Sequence, residues 1–216
     1  MGNLHALIIG ATGATGRELV RRLLEDDVFS QITIFVRTNP LIKHEKLKIH
    51  VIDFNEIENN KDLVRGDILF SALGTTKKDA GGKNQQYEID YTYQYEFAKI
   101  ASENGVGQLS LVSSIGANAK SSFFYPKIKG ELEEAVKKLN FKKIDIFQPP
   151  MLIRQPDLMR EGEKSGIKIL NRLNKIGILK SQKPLSVNKL AAKMLKMAKT
   201  PSNEIVTTLR PGEIDY

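Results

Sequence analysis

The stretch LHALIIGATGATGRELVRRLL, residues 4–24, constrains the fold more than any other part of the chain. It begins with a short apolar run rich in β-branched residues, which predicts a strand, and it ends with apolar residues at helical spacing, which predict a helix. Three glycines lie between them. Glycine lets the backbone approach a ligand closely, and a helix N-terminus offers unpaired N–H groups and partial positive charge to a diphosphate. The stretch therefore predicts nucleotide binding at Gly10, Gly13 and Gly16.

The length of the chain bounds its organisation. A chain of 216 residues is long enough for one α/β domain and too short for a dinucleotide-binding domain with a large second domain. We expect a single domain over residues 1–216, in which 151–186 form a small variable segment on the substrate side. No apolar run approaches the roughly 18 residues that cross a bilayer, so we expect no membrane association.

Composition excludes several kinds of site. The chain has no cysteine, which rules out disulfides and thiolate metal ligands, and its three histidines are too dispersed to hold a metal ion. The net charge of +8 favours anionic partners such as cofactor phosphates. The basic residues are scattered without interleaved aromatic residues, so we expect no specific nucleic-acid binding. Because the first strand follows the N-terminus almost at once, without a basic leader, we expect a cytoplasmic protein.

Strand and helix patterns alternate along the rest of the chain. After the first unit, strands are predicted at 31–36, 47–52, 67–70, 109–112, 143–147 and 204–209. Long helices are predicted over 85–104, from Pro126 to Leu139 and over 187–198, and 77–83 are expected to form a polar loop. Such alternation predicts a doubly wound parallel sheet.

Two strand ends carry candidate cofactor contacts. The second strand ends at Arg37, where an acidic residue would bind the 2′-hydroxyl of an adenosine ribose. A guanidinium instead pairs with a 2′-phosphate, so Arg37, with the Thr12 hydroxyl, favours NADP(H) over NAD(H); the alternative is an ordinary exposed arginine. Asp53, followed by Phe54, ends the third strand. Its carboxylate either accepts from the adenine amino group or caps the next turn, and the sequence favours neither role.

A catalytic constellation follows the fifth strand. Tyr125 and Lys129 are four residues apart, so a helix places them on one face. A phenol, with a reference pKa of about 10, needs such a cation to work as an acid or base near neutral pH. Ser114 ends the strand, where open α/β sheets bind ligands, and its hydroxyl is placed to polarise a substrate carbonyl. Ser113 is the alternative for that role.

At this point the chain resembles a known family. The segments GATGATGREL, LFSALGTTKKDAG, LVSSIGANAKSSFFYPKIKGELE and QPPMLI, in this order, are similar to atypical, extended-type short-chain dehydrogenase/reductases, in particular the branch that contains the Tat-interacting oxidoreductase. The resemblance implies an NAD(P)-binding Rossmann fold and the triad Ser114, Tyr125 and Lys129. Where the family usually has Arg-Pro-Gly, this chain has Gln148-Pro149-Pro150. With the small residues after the fourth strand, the predicted cofactor contacts are Gly10, Thr12, Gly13, Ala14, Thr15, Gly16, Arg37, Asp53, Phe54, Ala72, Leu73, Gly74, Pro149 and Met151.

These features lead to two functional hypotheses. In the first, the protein is an NADP(H)-dependent oxidoreductase that transfers hydride to or from a small carbonyl or alcohol substrate and needs no metal. In the second, it is an NADP(H)-binding regulatory module that acts through a protein partner with little turnover. A sugar-nucleotide epimerase or dehydratase shares the triad but generally needs a larger C-terminal region. Monomer and homodimer both stay open.

Overall fold

The computed structural model describes residues 3–159, 162–175 and 182–214. Its centre is a parallel sheet of seven strands in the order β3-β2-β1-β4-β5-β6-β9. The strands are β1 (Leu4–Ile9), β2 (Phe29–Val36), β3 (Leu47–Val51), β4 (Ile68–Ser71), β5 (Gln108–Val112), β6 (Lys143–Phe147) and β9 (Val206–Leu209). Helices cover both faces, so the predicted doubly wound parallel sheet is confirmed.

Eight α-helices accompany these strands within the described ranges. They are α1 (Ala14–Glu25), α2 (Lys77–Ala80), α3 (Lys83–Tyr87), α4 (Tyr93–Glu103), α5 (Phe124–Val136), α6 (Glu163–Lys175), α7 (Val187–Lys199) and α8 (Pro211–Ile214). Segments of 3-10 helix cover Phe54–Leu63 and Pro156–Leu158, and one π-helical turn covers Glu88–Thr92 within the described ranges.

The core has two layers, one on each face of the sheet. On one face, α1 and α7 pack together through buried residues such as Leu19, Leu23 and Leu190. On the other face, Phe97 of α4 and Leu132 of α5 lie in a second buried cluster. The chain order reverses between β1 and β4, and in open sheets of this kind ligands bind at the carboxyl ends of the strands beside that point. The glycine turn lies there.

The segment predicted for the substrate side is tied together by a second, two-stranded sheet. Its strands β7 (Leu152–Ile153) and β8 (Leu185–Ser186) are parallel and pair Leu152 with Leu185. Residues 160–161 and 176–181 of the predicted segment 151–186 lie outside the described residues.

Three elements differ from the prediction. The helix predicted over 85–104 is interrupted by the π-helical turn, which sequence periodicity does not reveal. Helix α5 begins at Phe124 rather than at Pro126, and it accommodates the proline because N–H groups of a first turn need no helical acceptor. The loop predicted at 77–83 contains α2, whose N-terminus is capped by the Thr76 hydroxyl accepting from the Asp79 N–H at 3.1 Å.

Candidate active site

The glycine turn fits tightly between the sheet and α1. Gly10 has a φ of +79°, and a Cβ atom there would lie 2.5 Å from the backbone of Ala72. A Cβ atom at Gly16 would lie 2.1 Å from the carbonyl oxygen of Gly10. At Gly13 the same construction meets only the Gly10 oxygen, at 3.3 Å. Gly10 and Gly16 therefore permit close packing of the turn, whereas the space beside Gly13 is open to a ligand.

The N-terminus of α1 is suited to an anion. Gly13 occupies the N-cap position of α1. Among the described residues, no side chain accepts a hydrogen bond from the first N–H groups of the helix, and its first turn has no acidic residue. The first N–H groups of the helix and its partial positive charge therefore face the open space beside Gly13. A diphosphate fits this arrangement.

Two hollows flank Arg37 at the adenosine end of the predicted site. The inner one, of about 270 Å³, is bounded by Gly10, Thr12, Gly13, Ala72, Leu73, Gly74 and Phe54 of the predicted set and by Tyr93. The outer one, of about 540 Å³, is bounded by Thr12, Arg17 and Thr38, and none of its described lining residues is acidic. Arg37 itself is exposed and lines both hollows.

Asp53 has the second of the two roles predicted for it, which is to cap the turn after β3. Its carboxylate accepts from the backbone N–H of Asn55 at 2.9 Å and so caps the 3-10 helix that follows β3. Asn55 in turn accepts a hydrogen bond of 2.6 Å from the Tyr93 hydroxyl. Asp53 does not line the hollow that its neighbour Phe54 lines. Hydrogen bonds through Asn55 connect Asp53 to Tyr93, which lines that hollow.

Two further hollows join this end to the predicted catalytic residues. A small one of about 120 Å³ is bounded by Gly13, Ala14 and Thr15 on one side and by Tyr125 and Lys129 on the other. A larger cleft of about 520 Å³ adjoins it and shares its lining residues Thr75, Ser113, Tyr125, Leu152 and Arg154. Ser114, Pro149 and Met151 line this larger cleft only. The hollows together form one trough from Arg37 to Ser114.

Lys129 is the most unusual charge in the trough. Its side chain is 2% exposed, and its ammonium nitrogen lies 3.9 Å from a carboxylate oxygen of the fully buried Asp90. Burial lowers the pKa of the Lys129 ammonium below its ordinary value, and the nearby Asp90 and Glu133 oppose that shift. Asp90 therefore helps to keep a positive charge on Lys129 in a place that disfavours it.

The two serines after β5 have different partners. Ser113 is buried, and its hydroxyl donates to the carboxylate of Glu133, one helical turn beyond Lys129. Gln148 donates from its amide to both oxygens of the same carboxylate, at 3.0 and 3.1 Å. Among the residues that the structure describes, the Ser114 hydroxyl has a single, longer bond of 3.3 Å, which it donates to the carbonyl of Ile115. The Ser113 hydroxyl is thus committed to Glu133, while Ser114 lines the substrate cleft.

Gln148-Pro149-Pro150 has a clear structural position. The backbone N–H of Gln148 donates to Leu209 of β9 at 2.9 Å, and the carbonyl of Pro149 accepts from Ile115 at 3.0 Å. The segment therefore joins the end of β6 to both the sheet edge and the serine loop. Gln148 fills the place of the usual arginine with an uncharged donor to Glu133.

Sequence reasoning missed a buried polar stripe that supports the trough. Gln86, Asp90 and Gln94 recur every four residues and are each at most 4% exposed. Gln94 accepts from Ser71 at 2.8 Å and donates to the Asp90 carbonyl at 2.8 Å. The signal in the sequence is a set of polar residues at helical spacing between tyrosines, within the stretch 85–104 that is predicted only as a helix.

Gly130 is a second site residue that the sequence did not reveal. A Cβ atom there would lie 2.2 Å from the backbone nitrogen of Ala119, so α5 packs directly on the loop after Ser114. This close approach fixes the helix that carries Tyr125 and Lys129 against the strand end that carries Ser114.

Comparisons with known proteins agree with this geometry. Residues 10–143 match a family model described as NAD(P)H-binding. Protein HTATIP2 of Rattus norvegicus is 32% identical over 167 residues, covering 76% of this chain and 69% of the relative. Protein FMP52-1, mitochondrial, of Scheffersomyces stipitis is 35% identical over 182 residues, covering 82% and 76%. The crystal structure of the Bordetella bronchiseptica enzyme WbmG in complex with NAD shares the fold, with a TM-score of 0.71 at 14% identity over 97% of this chain and 73% of that one.

The comparison corrects the predicted location. Relatives from Scheffersomyces stipitis, Candida albicans and Saccharomyces cerevisiae are all named mitochondrial proteins, so the prediction of a cytoplasmic protein is wrong. Within the described ranges, no helix is both long enough and apolar enough to cross a membrane.

The resemblance drawn from the sequence is confirmed by the matched family model and by relatives aligned over more than two thirds of their length. The chain belongs to the NAD(P)H-binding family, and it has a Rossmann-like fold that it shares with the enzyme WbmG.

Proposed function

We propose that the protein is an NADP(H)-dependent oxidoreductase that interconverts a small carbonyl compound and its alcohol. The observation that carries the proposal is the small hollow in which Tyr125 and the buried Lys129 face the anion-binding turn at Gly13, Ala14 and Thr15. A nicotinamide cofactor supplies hydride chemistry when bound. Acid–base and positioning groups must then come from the protein.

Each member of the triad has a distinct task in this proposal. Tyr125 donates a proton to the carbonyl oxygen during reduction and removes it during oxidation. Lys129 favours the phenolate that remains, because its ammonium carries a positive charge beside the phenol. Ser114 donates a hydrogen bond to the same oxygen as negative charge develops on it. Asp90 helps to maintain the charge of Lys129.

Ser114 is preferred over Ser113 as the substrate donor because of their partners. The Ser113 hydroxyl already donates to Glu133, and a hydroxyl has only one proton to donate. The long bond from Ser114 to the Ile115 carbonyl is easily exchanged for one to a substrate oxygen. Ser114→Ala should therefore lower kcat strongly with little change in stability, whereas Ser113→Ala should act through the position of Glu133.

The preference for NADP(H) over NAD(H) rests on Arg37. It lies between the two hollows at the adenosine end, and the described lining of the outer hollow contains Arg17 but no carboxylate. Arg17 is engaged by the carboxylate of Asp157 and by the carbonyl of Thr12 at 3.2 Å. Arg37 is therefore the proposed main partner of a 2′-phosphate.

Titration of Arg37→Ala with both cofactors tests this preference. Loss of charge-assisted hydrogen bonds worth about 1.5–3 kcal/mol should weaken NADPH binding by roughly 10- to 100-fold and leave NADH binding nearly unchanged. Arg65→Ala is the matched control, because Arg65 is an exposed arginine that pairs with Asp62, precedes β4 and lines none of these hollows. Equal losses for both cofactors would show that Arg37 does not read the 2′-position.

Tyr125→Phe separates the enzyme from the regulatory alternative. In the oxidoreductase, this variant keeps NADPH affinity and loses turnover of aldehydes and ketones. A regulatory module would keep any cofactor-dependent binding of a protein partner in the same variant, since its function needs the trough but not the phenol. Wild-type protein that binds NADPH but turns over no carbonyl compound in a broad panel would favour the regulator.

A further inference from the structure

The cleft beyond Tyr125 has both apolar and polar lining residues. The apolar ones are Ile115, Pro149, Pro150, Met151 and Leu152. The polar ones include Thr75, Thr76, Gln86, Lys77 and Arg154, and none of the described lining residues is acidic. With Ser114 and Tyr125 at its inner end, the cleft presents a reactive position, an apolar surface and two cationic side chains.

We propose that the substrate of this site is a carbonyl compound, or the corresponding alcohol, that has an apolar body and bears an anionic group bound by Lys77. The inference rests on the proposed oxidoreductase function for the reacting carbonyl, but the anion preference is a property of the cleft itself. The net charge of +8 over the whole chain adds long-range attraction for such a ligand.

Lys77 and Arg154 differ in what they reach. Arg154 is partly buried and lines both the cleft and the small hollow beside the diphosphate turn, so a bound cofactor shares its charge. Lys77 is exposed at the start of α2 and lines the cleft, but it lines neither the small hollow nor the two hollows beside Arg37. Of the two cations, Lys77 is therefore the one placed to contact a substrate and not the cofactor.

The carboxylates near these cations along the chain or beneath the trough do not line the cleft. Asp157, three residues beyond Arg154, is paired with Arg17. Asp79, two residues beyond Lys77, lines the inner hollow beside Arg37 instead. Asp90 lies beneath the trough beside Lys129 and does not line the cleft. An anionic group entering the cleft therefore meets cations and hydroxyl or amide groups.

Two aldehydes of the same size test the proposal. With saturating NADPH, wild-type protein should reduce 4-formylbenzoate with a kcat/KM about tenfold or more above that for the neutral 4-formylbenzamide, since one charge-assisted hydrogen bond is worth that much. Lys77→Gln should remove most of this preference without changing the dissociation constant of NADPH. Lys78→Gln is the matched control, because it removes the same charge from the neighbouring position of α2, and Lys78 does not line the cleft.

Calorimetry of the NADP⁺-loaded protein with the same two compounds separates this inference from the proposed function. Binding of 4-formylbenzoate that depends on Lys77, in a protein that reduces neither aldehyde, would support the anion site without supporting the oxidoreductase. Equal affinity for the two compounds, no binding of 4-formylbenzoate, or an equal effect of Lys77→Gln and Lys78→Gln would overturn the inference.

Discussion

A single methyl group at Gly16 should disrupt the turn on which the cofactor site is built. The added Cβ atom would lie 2.1 Å from the Gly10 oxygen and 2.8 Å from the Ala11 Cα atom. An ordinary carbon–oxygen contact is about 3.3 Å, so the turn and the helix must separate by roughly 1 Å. Both are backbone, and Gly10 is itself pressed against Ala72. No flexible side chain can yield to the added methyl group.

The expected loss of stability follows from two opposing effects. Overpacking by backbone contact costs about 3 kcal/mol, the upper end of its usual range, while replacing glycine by alanine within a helix returns about 1 kcal/mol. Gly16→Ala should therefore lower the free energy of unfolding by about 2 kcal/mol. For a chain of this size, such a loss lowers Tm by roughly 4–8 °C. Urea unfolding followed by circular dichroism measures it directly.

Gly13→Ala is the matched variant, because its methyl group has room. The residue has φ −78° and ψ 173°, a conformation open to alanine, and its Cβ contact of 3.3 Å is tight but tolerable. Its unfolding free energy should stay within about 0.5 kcal/mol of wild type, because reduced freedom of the unfolded chain offsets a poorer helix cap. NADPH affinity should fall about tenfold or more, since the methyl group enters the ligand space.

The pair of variants gives a sharp criterion. The reasoning predicts that Gly16→Ala loses stability and that Gly13→Ala keeps stability but loses cofactor affinity. If Gly16→Ala unfolds at the same urea concentration as wild type, the backbone contact at Gly10 is not as close as described. If Gly13→Ala binds NADPH as tightly as wild type, the open space beside Gly13 does not hold the diphosphate.

Three further predictions concern α5. Burial lowers the pKa of Lys129, so between the lowered and the ordinary pKa the unfolded chain binds more protons than the folded one. The stability of wild type relative to Lys129→Met should therefore rise with pH across that window, as measured by urea unfolding at successive pH values. A stability difference that does not change with pH would contradict the lowered pKa. Glu133→Gln should lower the free energy of unfolding by about 1–3 kcal/mol, since it weakens charged hydrogen bonds from Ser113 and Gln148. The exposed control Glu134→Gln should change the free energy of unfolding by less than about 0.5 kcal/mol, and similar values for the two variants would refute the network. Gly130→Ala should lower both Tm and kcat, because its Cβ atom meets the backbone of the loop after Ser114, and wild-type values in thermal unfolding and turnover assays would show that the helix can retreat without consequence.

Local patterns in the sequence were sufficient for the architecture. The strands β2, β3, β4, β5, β6 and β9 lie within two residues of their predicted bounds, because short runs of β-branched and aromatic residues between turns report buried parallel strands directly. The glycine turn and the serine at the end of β5 were found for the same reason, since their spacing along the chain is fixed by the strand and helix beside them. The π-helical turn was missed because periodicity does not distinguish it from an α-helical turn.

The amino-acid sequence by itself determined the order of strands and helices along the chain, the glycine turn between β1 and α1, and the helical spacing of Tyr125 and Lys129, all of which depend on residues close together in the chain. Only the tertiary structure decided that Asp90 lies beside Lys129, that Glu133 holds Ser113 and Gln148, and that Lys77 and Arg154 share one cleft. These side chains come from different segments of the chain. Around Asp90, Lys129 and Glu133, packing also removes the water that would otherwise screen their charges.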